Sequence, residues 1–547
     1  MIADSLTYTL IADVISRSGT PETTLREGFT LWQPGRRQGT SLARWWPLRQ
    51  SIVRMAQRDH DQAFTELLLL ARNEENWASA RVQQTIVLAQ AILERIDAKL
   101  EPLTTRAGSD EEQVSRLRDL SDWISRCGGE DSAFTYARHE NAVYGNCVKA
   151  SRDIEEGDIV MRIPRKAMLS ASFGLGRHPA IASSLLPHFV DNNVLELAIV
   201  VAFHKLNIET SFFRPYLEIM PDSFNLPLFW GSDMFVLIQA TPTCVRAARS
   251  FRAALVLFYR AFKTIETANI SAFPASRMSW SLFRWAFGVV LTRQNNVPLP
   301  SGGASVFHPP TDGTDVVPAL VPGWDMMNHA TGAMTTRFEL ESDCLVYPSM
   351  AKCAAGEELC MCYGLRQNEL FVLFSGFCVR DSPFDSLELA LPLPQDDIVK
   401  IRELLVKNHA EVERNQASGG EVFLSVSVRR NEGGVLSPAA WMSALGCVVD
   451  RTEAAAILRS RLSSFQEIVA AGLVGEQTQN KARDVLKTAV RDYLAPLETA
   501  LVAVTDASKT EEGKTKLAAL AAFQNLFSGQ VEILQMISLS SVVLPEE

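Results

Sequence analysis

Two blocks of short strand-like segments, split by a long helical stretch, constrain this chain most. Val148, Ile154, Ile159, Val160 and Ile163 lie in short runs broken by Asp153-Ile154-Glu155-Glu156-Gly157, a strand–turn–strand texture. Pro164 then ends the strand pairing, since it has no N–H to offer a ladder. Strand texture returns at Thr335 to Leu340, Cys344 to Tyr347 and Leu359 to Tyr363. Between the blocks, Val194, Leu197, Ala198 and Val201 share one helical face, and Phe251, Phe258, Tyr259 and Phe262 supply an aromatic surface to a second helix. A Pro/Gly-rich segment, Val297 to Gly323, reads as a long loop. Short strands on either side of inserted helices predict an α+β fold, one β-rich domain with helical neighbours.

The flanks read as helical. Ala63, Leu67, Leu70 and Ala71 recur at helical spacing, as do Val82, Ile86, Ala89 and Ile92. Arg106 to Glu112 reads as a linker. Beyond about residue 395, Leu458, Leu462, Phe465 and Val469 form one stripe and Leu517 to Ile537 another. The boundaries expected are 1–115 for a helical N-terminal region and 116–382 for the β-rich domain, with an insertion at about 175–282. A helical C-terminal domain follows over 395–547.

Composition narrows the function class. Lys+Arg is 53 and Asp+Glu is 63, a net charge of −10, so a generic phosphate-binding surface is not expected. No apolar stretch reaches the ~20 residues needed to cross a bilayer. The start, Met1-Ile2-Ala3-Asp4-Ser5, shows no basic region followed by an apolar core. Nine scattered cysteines, of which only Cys360 and Cys362 lie close together, argue for reduced thiols and against a zinc site. A protein of the cytoplasm, or of cytoplasm and nucleus, is expected, monomeric and with no metal.

Two segments carry chemistry: Trp324-Asp325-Met326-Met327-Asn328-His329, and Glu357-Glu358-Leu359-Cys360-Met361-Cys362-Tyr363-Gly364 followed by Arg366. Taken singly, an Asn-His turn and a Tyr at a strand end are ordinary structural features. In this order they resemble the SET-domain protein methyltransferases, in which an Asn-His motif and a Glu-Leu…Tyr-Gly motif thread through each other as a pseudoknot. The family's Gly-x-Gly turn is matched by Tyr144-Gly145-Asn146-Cys147, with Cys147 where the second glycine would stand. The inserted helices and Phe212-Phe213-Arg214-Pro215-Tyr216 are similar to the Rubisco large-subunit methyltransferase type. Leu291-Thr292-Arg293-Gln294-Asn295-Asn296-Val297-Pro298, Val321 to His329 and Phe371 to Phe377 resemble most the members that methylate a histidine of actin.

The resemblance implies S-adenosylmethionine as cofactor, actin as partner and a tele-methylhistidine product. It implies that Tyr363 places its hydroxyl near the methyl and the target nitrogen. Arg366 would bind the substrate peptide, and Asn328 and His329 the cofactor. Thr292 and Ser375 match further cofactor contacts, and Asp158 and Val160 match the strand that receives the adenosyl group. Histidine, with a reference pKa of ~6.5, is already mostly neutral at pH 7, whereas lysine at ~10.4 must first lose a proton. What histidine needs is a polar group to hold its second nitrogen. Asn295 fits that task, and Trp324 fits a wide pocket for a flat ring. The alternatives are a lysine methyltransferase of the same fold and a SET-like binding protein without catalysis.

Overall fold

The computed structural model describes residues 60–539, except 74–76, 78–80, 102, 104–109, 131–132, 141–144, 173–177, 299–315, 332–336, 340–341, 410, 416–420, 431–435, 511–512 and 514–515. Three helices open it: α1 (His60–Arg72), α2 (Val82–Asp97) and α3 (Asp110–Arg126). The periodic residues Ala63, Leu67, Leu70 and Ala71, and Val82, Ile86, Ala89 and Ile92, are all buried. Of the expected linker, Asp110 to Glu112 is the first turn of α3, and 106–109 lie outside the described residues.

The strands come next: β1 (Phe134–Arg138), β2 (Asn146–Ala150) and β3 (Ile159–Pro164). The insertion then supplies α4 (Asn193–Leu206), α5 (Pro242–Ala268) and α6 (Trp280–Arg293). Each starts on a side-chain cap: Asn192 accepts from Leu195 N, Thr241 from Cys244 N and Ser279 from Leu282 N. Asn269 closes α5 in the left-handed region at φ 47°. After α6 the backbone turns extended at Gln294 and enters β4 (Asn295–Pro298), which pairs antiparallel with β5 (Val316–Ala319). The ends of the expected loop over Val297 to Gly323 are therefore a hairpin: Val297 and Val317 face each other in register and are both buried.

The second strand block gives β6 (Arg337–Glu339), β7 (Cys344–Pro348) and β8 (Glu358–Leu359). Two three-stranded sheets interleave the blocks, in the orders β1-β2-β8 and β3-β7-β6. Each sheet thus joins residues near 150 to residues near 350, across the insertion. A short helix, α7 (Asn368–Phe374), leads to β9 (Ser386–Leu393).

The C-terminal region departs from a purely helical reading. Strands β10 (Glu411–Asn415) and β11 (Glu421–Arg429) join β9 in a third sheet, order β10-β11-β9. In β11, Val422, Leu424, Val426 and Val428 are buried at every second position, a period-two signal. Helices α8 (Pro438–Val448), α9 (Glu476–Ser508) and α10 (Leu517–Leu539) are the longest of the region, with shorter ones at Val399–Val406, Arg451–Ser460 and Phe465–Ala470.

The N-terminal helices and the C-terminal region both lean on the insertion. Phe64 of α1 stacks on Phe262 of α5 with centroids 4.1 Å apart. The Asp97 carboxylate at the end of α2 accepts from Trp280 N at 2.7 Å and Ser281 Oγ at 2.9 Å, capping α6 from outside. Phe523 of α10 meets Trp230 edge-on at 4.9 Å. One continuous apolar core results.

Candidate active site

The site forms where residues 327–330 cross 358–363. Met361 N donates to Asn328 O at 2.8 Å, and Ala330 N donates to Met361 O at 3.0 Å. These bonds make a parallel bridge between His329 and Met361. Tyr363 locks the crossing twice: its N–H donates to His329 Nδ1 at 3.0 Å and its hydroxyl to Met327 O at 2.8 Å. Asn328 Nδ2 donates to Glu358 Oε1 at 2.7 Å and reaches Asn146 O at 3.4 Å, tying in the start of β2. Glu358 Oε2 also lies 3.3 Å from His139 Nε2. Gly364 follows Tyr363 at φ 113°, a conformation that suits glycine and lets the chain turn out of the crossing.

Burial, with a smaller push from Arg366, lowers His329 to a pKa of about 4. The ring is neutral, and because Nδ1 accepts from Tyr363 its proton sits on Nε2, which faces Thr331 Oγ1 at 3.4 Å. Burial pushes the Tyr363 hydroxyl up to about 12; Arg293 opposes the rise, and Asp325, Cys360 and Glu358 add to it. The phenol stays protonated at neutral pH and is no base.

Aromatic rings enclose this crossing. His329 lies 4.9 Å from Phe371 and 5.9 Å from Phe377, and these two phenylalanines stack at 5.0 Å. Phe371 belongs to α7, which is fixed from behind: the buried Asp385 carboxylate accepts from Asn368 N and Nδ2 at 3.0 and 2.9 Å. Ser375 ends α7, its N–H donating to Phe371 O at 2.8 Å.

A second cluster, at the end of α6, flanks the first. Asn295 Nδ2 donates to Arg293 O at 3.0 Å, which fixes the amide plane. Arg293 Nη1 donates to Asp325 O at 2.8 Å and lies 3.8 Å from the Asp325 carboxylate. That carboxylate accepts from the hydroxyl of Tyr216, a fully buried residue of the insertion. Burial raises Asp325 to about 6, with Arg293 and Tyr216 pulling it back. Trp324, 8 % exposed, begins the same short 3-10 turn, and Gly323 at φ 91° admits it.

The sequence-predicted residues sort by place. Asn328, His329 and Tyr363 share hydrogen bonds at the crossing, and Arg366 acts on His329. Asn295 and Trp324 meet through Arg293 and Asp325. Ser375 stands beside the phenylalanine pair. Thr292 directs its hydroxyl to Gly288 O of its own helix at 2.8 Å. Asp158 accepts from Glu155 N at 3.2 Å and Arg152 Nη1 at 3.3 Å, closing the turn before β3. Val160 is buried in β3, in the other sheet. Sequence reasoning assigned no role to Arg293, Asp325, Tyr216, Glu358, Asn146, Phe371 or Phe377. A single carboxylate in the apolar run Trp324 to Met327 was the available signal for Asp325. Among the described residues, no group of three or more His, Cys, Asp or Glu gathers as a metal site.

The SET domain profile matches residues 145–364, which span β2, the insertion and the crossing through Gly364. The chain carries a SET domain. Its relatives include the actin-histidine N-methyltransferase of Rhinolophus ferrumequinum, 28% identical over 319 residues, covering 57% of this chain and 50% of that one. The Homo sapiens enzyme of the same name is 27% identical over the same coverage. The Xenopus tropicalis enzyme is 26% identical over 340 residues, covering 61% of this chain and 55% of its own. The chain thus matches about half the length of these curated relatives. Among solved structures, the SET domain of LSMT bound to lysine and AdoHcy superposes with TM-score 0.56 at 16% identity, over 78% of this chain and 92% of that one. Rubisco LSMT bound to AdoMet gives 0.51 at 15%, over 79% and 97%. These two likenesses establish the shared fold.

Proposed function

We propose that this chain is an S-adenosylmethionine-dependent protein-histidine N-methyltransferase acting on actin and yielding tele-methylhistidine. The observation that carries the reading is Asn295, its amide held by the carbonyl of Arg293, whose guanidinium in turn holds Asp325 next to Trp324 in the chain. Relatives named actin-histidine N-methyltransferase support it.

The residues present fit the cofactor. Arg293 Nε and Trp324 Nε1 are buried side-chain donors with no hydrogen-bond partner among the described residues. Arg293 suits the carboxylate of the cofactor's amino-acid end, and Glu358 with the Asn146 carbonyl suits its ammonium. Phe377, half-buried and backed by the buried Phe371, offers an apolar ring face to the adenosyl part. When bound, S-adenosylmethionine supplies an electrophilic methyl group on a sulfonium centre.

This chain's residues do the positioning. Asn295 has spent its Nδ2 on Arg293 O, so Oδ1 is turned to accept from the protonated nitrogen of a substrate imidazole. The other ring nitrogen then presents its lone pair toward the crossing. A neutral imidazole needs no general base, which agrees with a site whose tyrosine is held protonated. The Tyr363 hydroxyl donates its hydrogen bond to Met327 O, leaving the oxygen's lone pairs as acceptors. Trp324 supplies a flat wall for the ring, and Arg366 a cation for the bound peptide. A cytoplasmic monomer with a nuclear fraction completes the proposal, and the net charge of −10 favours a protein substrate over nucleic acid. Among the described residues no helix is long and apolar enough to cross a membrane.

Actin incubated with the protein and labelled S-adenosylmethionine, then mapped by mass spectrometry, tests this. Label is expected on one histidine and should fall roughly 10- to 100-fold in Asn295→Ala, the loss of one hydrogen bond to a charge-developing ring. Label on lysine instead favours the lysine reading. No label, together with no cofactor binding by calorimetry, favours a binding protein.

A further inference from the structure

Cys147 stands at the turn matched to the cofactor motif, paired with Ala137 on β1, and on its other side the β2–β8 register leads toward a second cysteine. Strands β2 and β8 pair antiparallel, with Lys149 opposite Glu358 and Val148 opposite Leu359. One further step of that register sets Cys147 opposite Cys360. The type of this position follows from the alternation of antiparallel ladders. Ala150 N donates to Glu357 O at 2.8 Å, so that pair is hydrogen-bonded. Counting on, Lys149/Glu358 is not, Val148/Leu359 is, and Cys147/Cys360 is not.

An independent bond agrees. The Cys360 carbonyl accepts from the Tyr347 hydroxyl at 3.1 Å, and so is spent away from β2, as that position requires. Directly opposed residues send their side chains to the same face, and at such positions the Cα atoms are about 4.5 Å apart. A disulfide spans Cα separations of about 4.4–6.8 Å, so this pair can close without moving the backbone. Both cysteines are thiols in the structure. The face they share also carries Glu358, whose carboxylate holds Asn328.

We propose that Cys147 and Cys360 form a reversible cross-strand disulfide under peroxide, stapling β2 to β8 beside Asn328. Cys360 is half-buried and Cys147 is fully buried, so Cys360 reacts first. Its sulfur attacks one peroxide oxygen, the O–O bond breaks, and one water leaves behind a sulfenic acid. Cys147 sulfur then attacks Cys360 sulfur, the S–S bond forms, and the sulfenic oxygen leaves as a second water. The two sulfurs lose two electrons in all, the peroxide gains them, and the thiol protons end in the waters. Burial pushes the Cys360 thiol up to about 11, with Glu358 adding, so the reaction is slow and answers sustained oxidant. The staple fixes the Asn146 carbonyl and Glu358, both partners of Asn328, relative to each other. This thiol chemistry stands whether or not the methyl-transfer reading does.

Full-length protein treated with hydrogen peroxide, alkylated and digested without reduction decides it. The expected map has one dominant linked pair joining the Cys147 and Cys360 peptides, with the loss of two hydrogens and reversal by dithiothreitol. The thermal midpoint of the oxidised chain should rise by a few degrees, and Cys360→Ser should show neither change. A map linking Cys360 to Cys353 instead, or showing Cys360 sulfinic acid with Cys147 unmodified, overturns the proposal. Should Cys147→Ser fail to fold, the map of the unaltered chain and the Cys360→Ser control still decide.

Discussion

The aromatic core of the insertion and the crossing at Tyr363 both gather rings, but they hold together for opposite reasons. In the core, Phe258, Phe262, Trp280 and Phe283 meet each other and Phe64 with no polar partner required. Its strength is volume and apolar area, so an apolar side chain of similar size and shape would serve. At the crossing, His329, Tyr363, Phe371 and Phe377 surround backbone and side-chain hydrogen bonds with defined donors. Its content is direction. The first region should therefore govern whether the chain folds, and the second what it does once folded.

Substitutions can break that contrast. Phe258→Ala should have the largest effect, about 3–5 kcal/mol of lost stability from a fully buried ring, read by denaturant unfolding. If cofactor binding by the folded fraction also falls, the two regions are not separable. Tyr363→Phe should lower methyl transfer to actin roughly 100-fold, through loss of the positioned oxygen, while the thermal midpoint shifts by only a few degrees. A variant that unfolds instead would make Tyr363 a structural residue first.

Tyr216→Phe lies between the regions, because it joins the insertion to Asp325. It should cost about 1–3 kcal/mol, since the buried carboxylate loses a donor. It should also weaken transfer, through Arg293 and Trp324, more than a core substitution of equal stability cost. Transfer that follows stability alone would place Tyr216 with the core.

The smallest effect is on pH dependence. His329 titrates at about 4 when folded and near ~6.5 when unfolded, so between these values the unfolded chain binds a proton that the folded one refuses. Its contribution to stability therefore falls as pH drops through that window and is flat below about 4. Asp325, raised to about 6, acts with the opposite sign, its share falling as pH rises toward 6. The difference between the parent and His329→Gln isolates the histidine share. An unchanged difference across the window would remove the Tyr363–His329 bond from the account.

Much of the architecture was legible because it is written locally. Apolar spacing marked α1 and α2, and Asp-Ile-Glu-Glu-Gly marked the turn between β2 and β3. Strands β10 and β11 were missed, although Val422, Leu424, Val426 and Val428 carry a period of two, because the surrounding stripes are helical. At the site, Asn328, His329 and Tyr363 were legible as neighbours in two short motifs. Tyr216 was not, since nothing near it in the chain says that its hydroxyl meets a carboxylate 109 residues away.

The sequence by itself determined most of the helices, the two strand blocks and which short motifs carry polar groups, because periodicity, caps and turns act over a few residues. Only the tertiary structure decided what those groups do. Threading 327–330 against 358–363 turned His329 into an acceptor for Tyr363 and gave Asn328 to Glu358. The β2–β8 register, continued one step past Val148 and Leu359, leads to Cys147 and Cys360, and the insertion delivered Tyr216 to Asp325. Hydrogen-bond direction, burial and shifted protonation depend on neighbours in space, and here those neighbours come from distant parts of the chain.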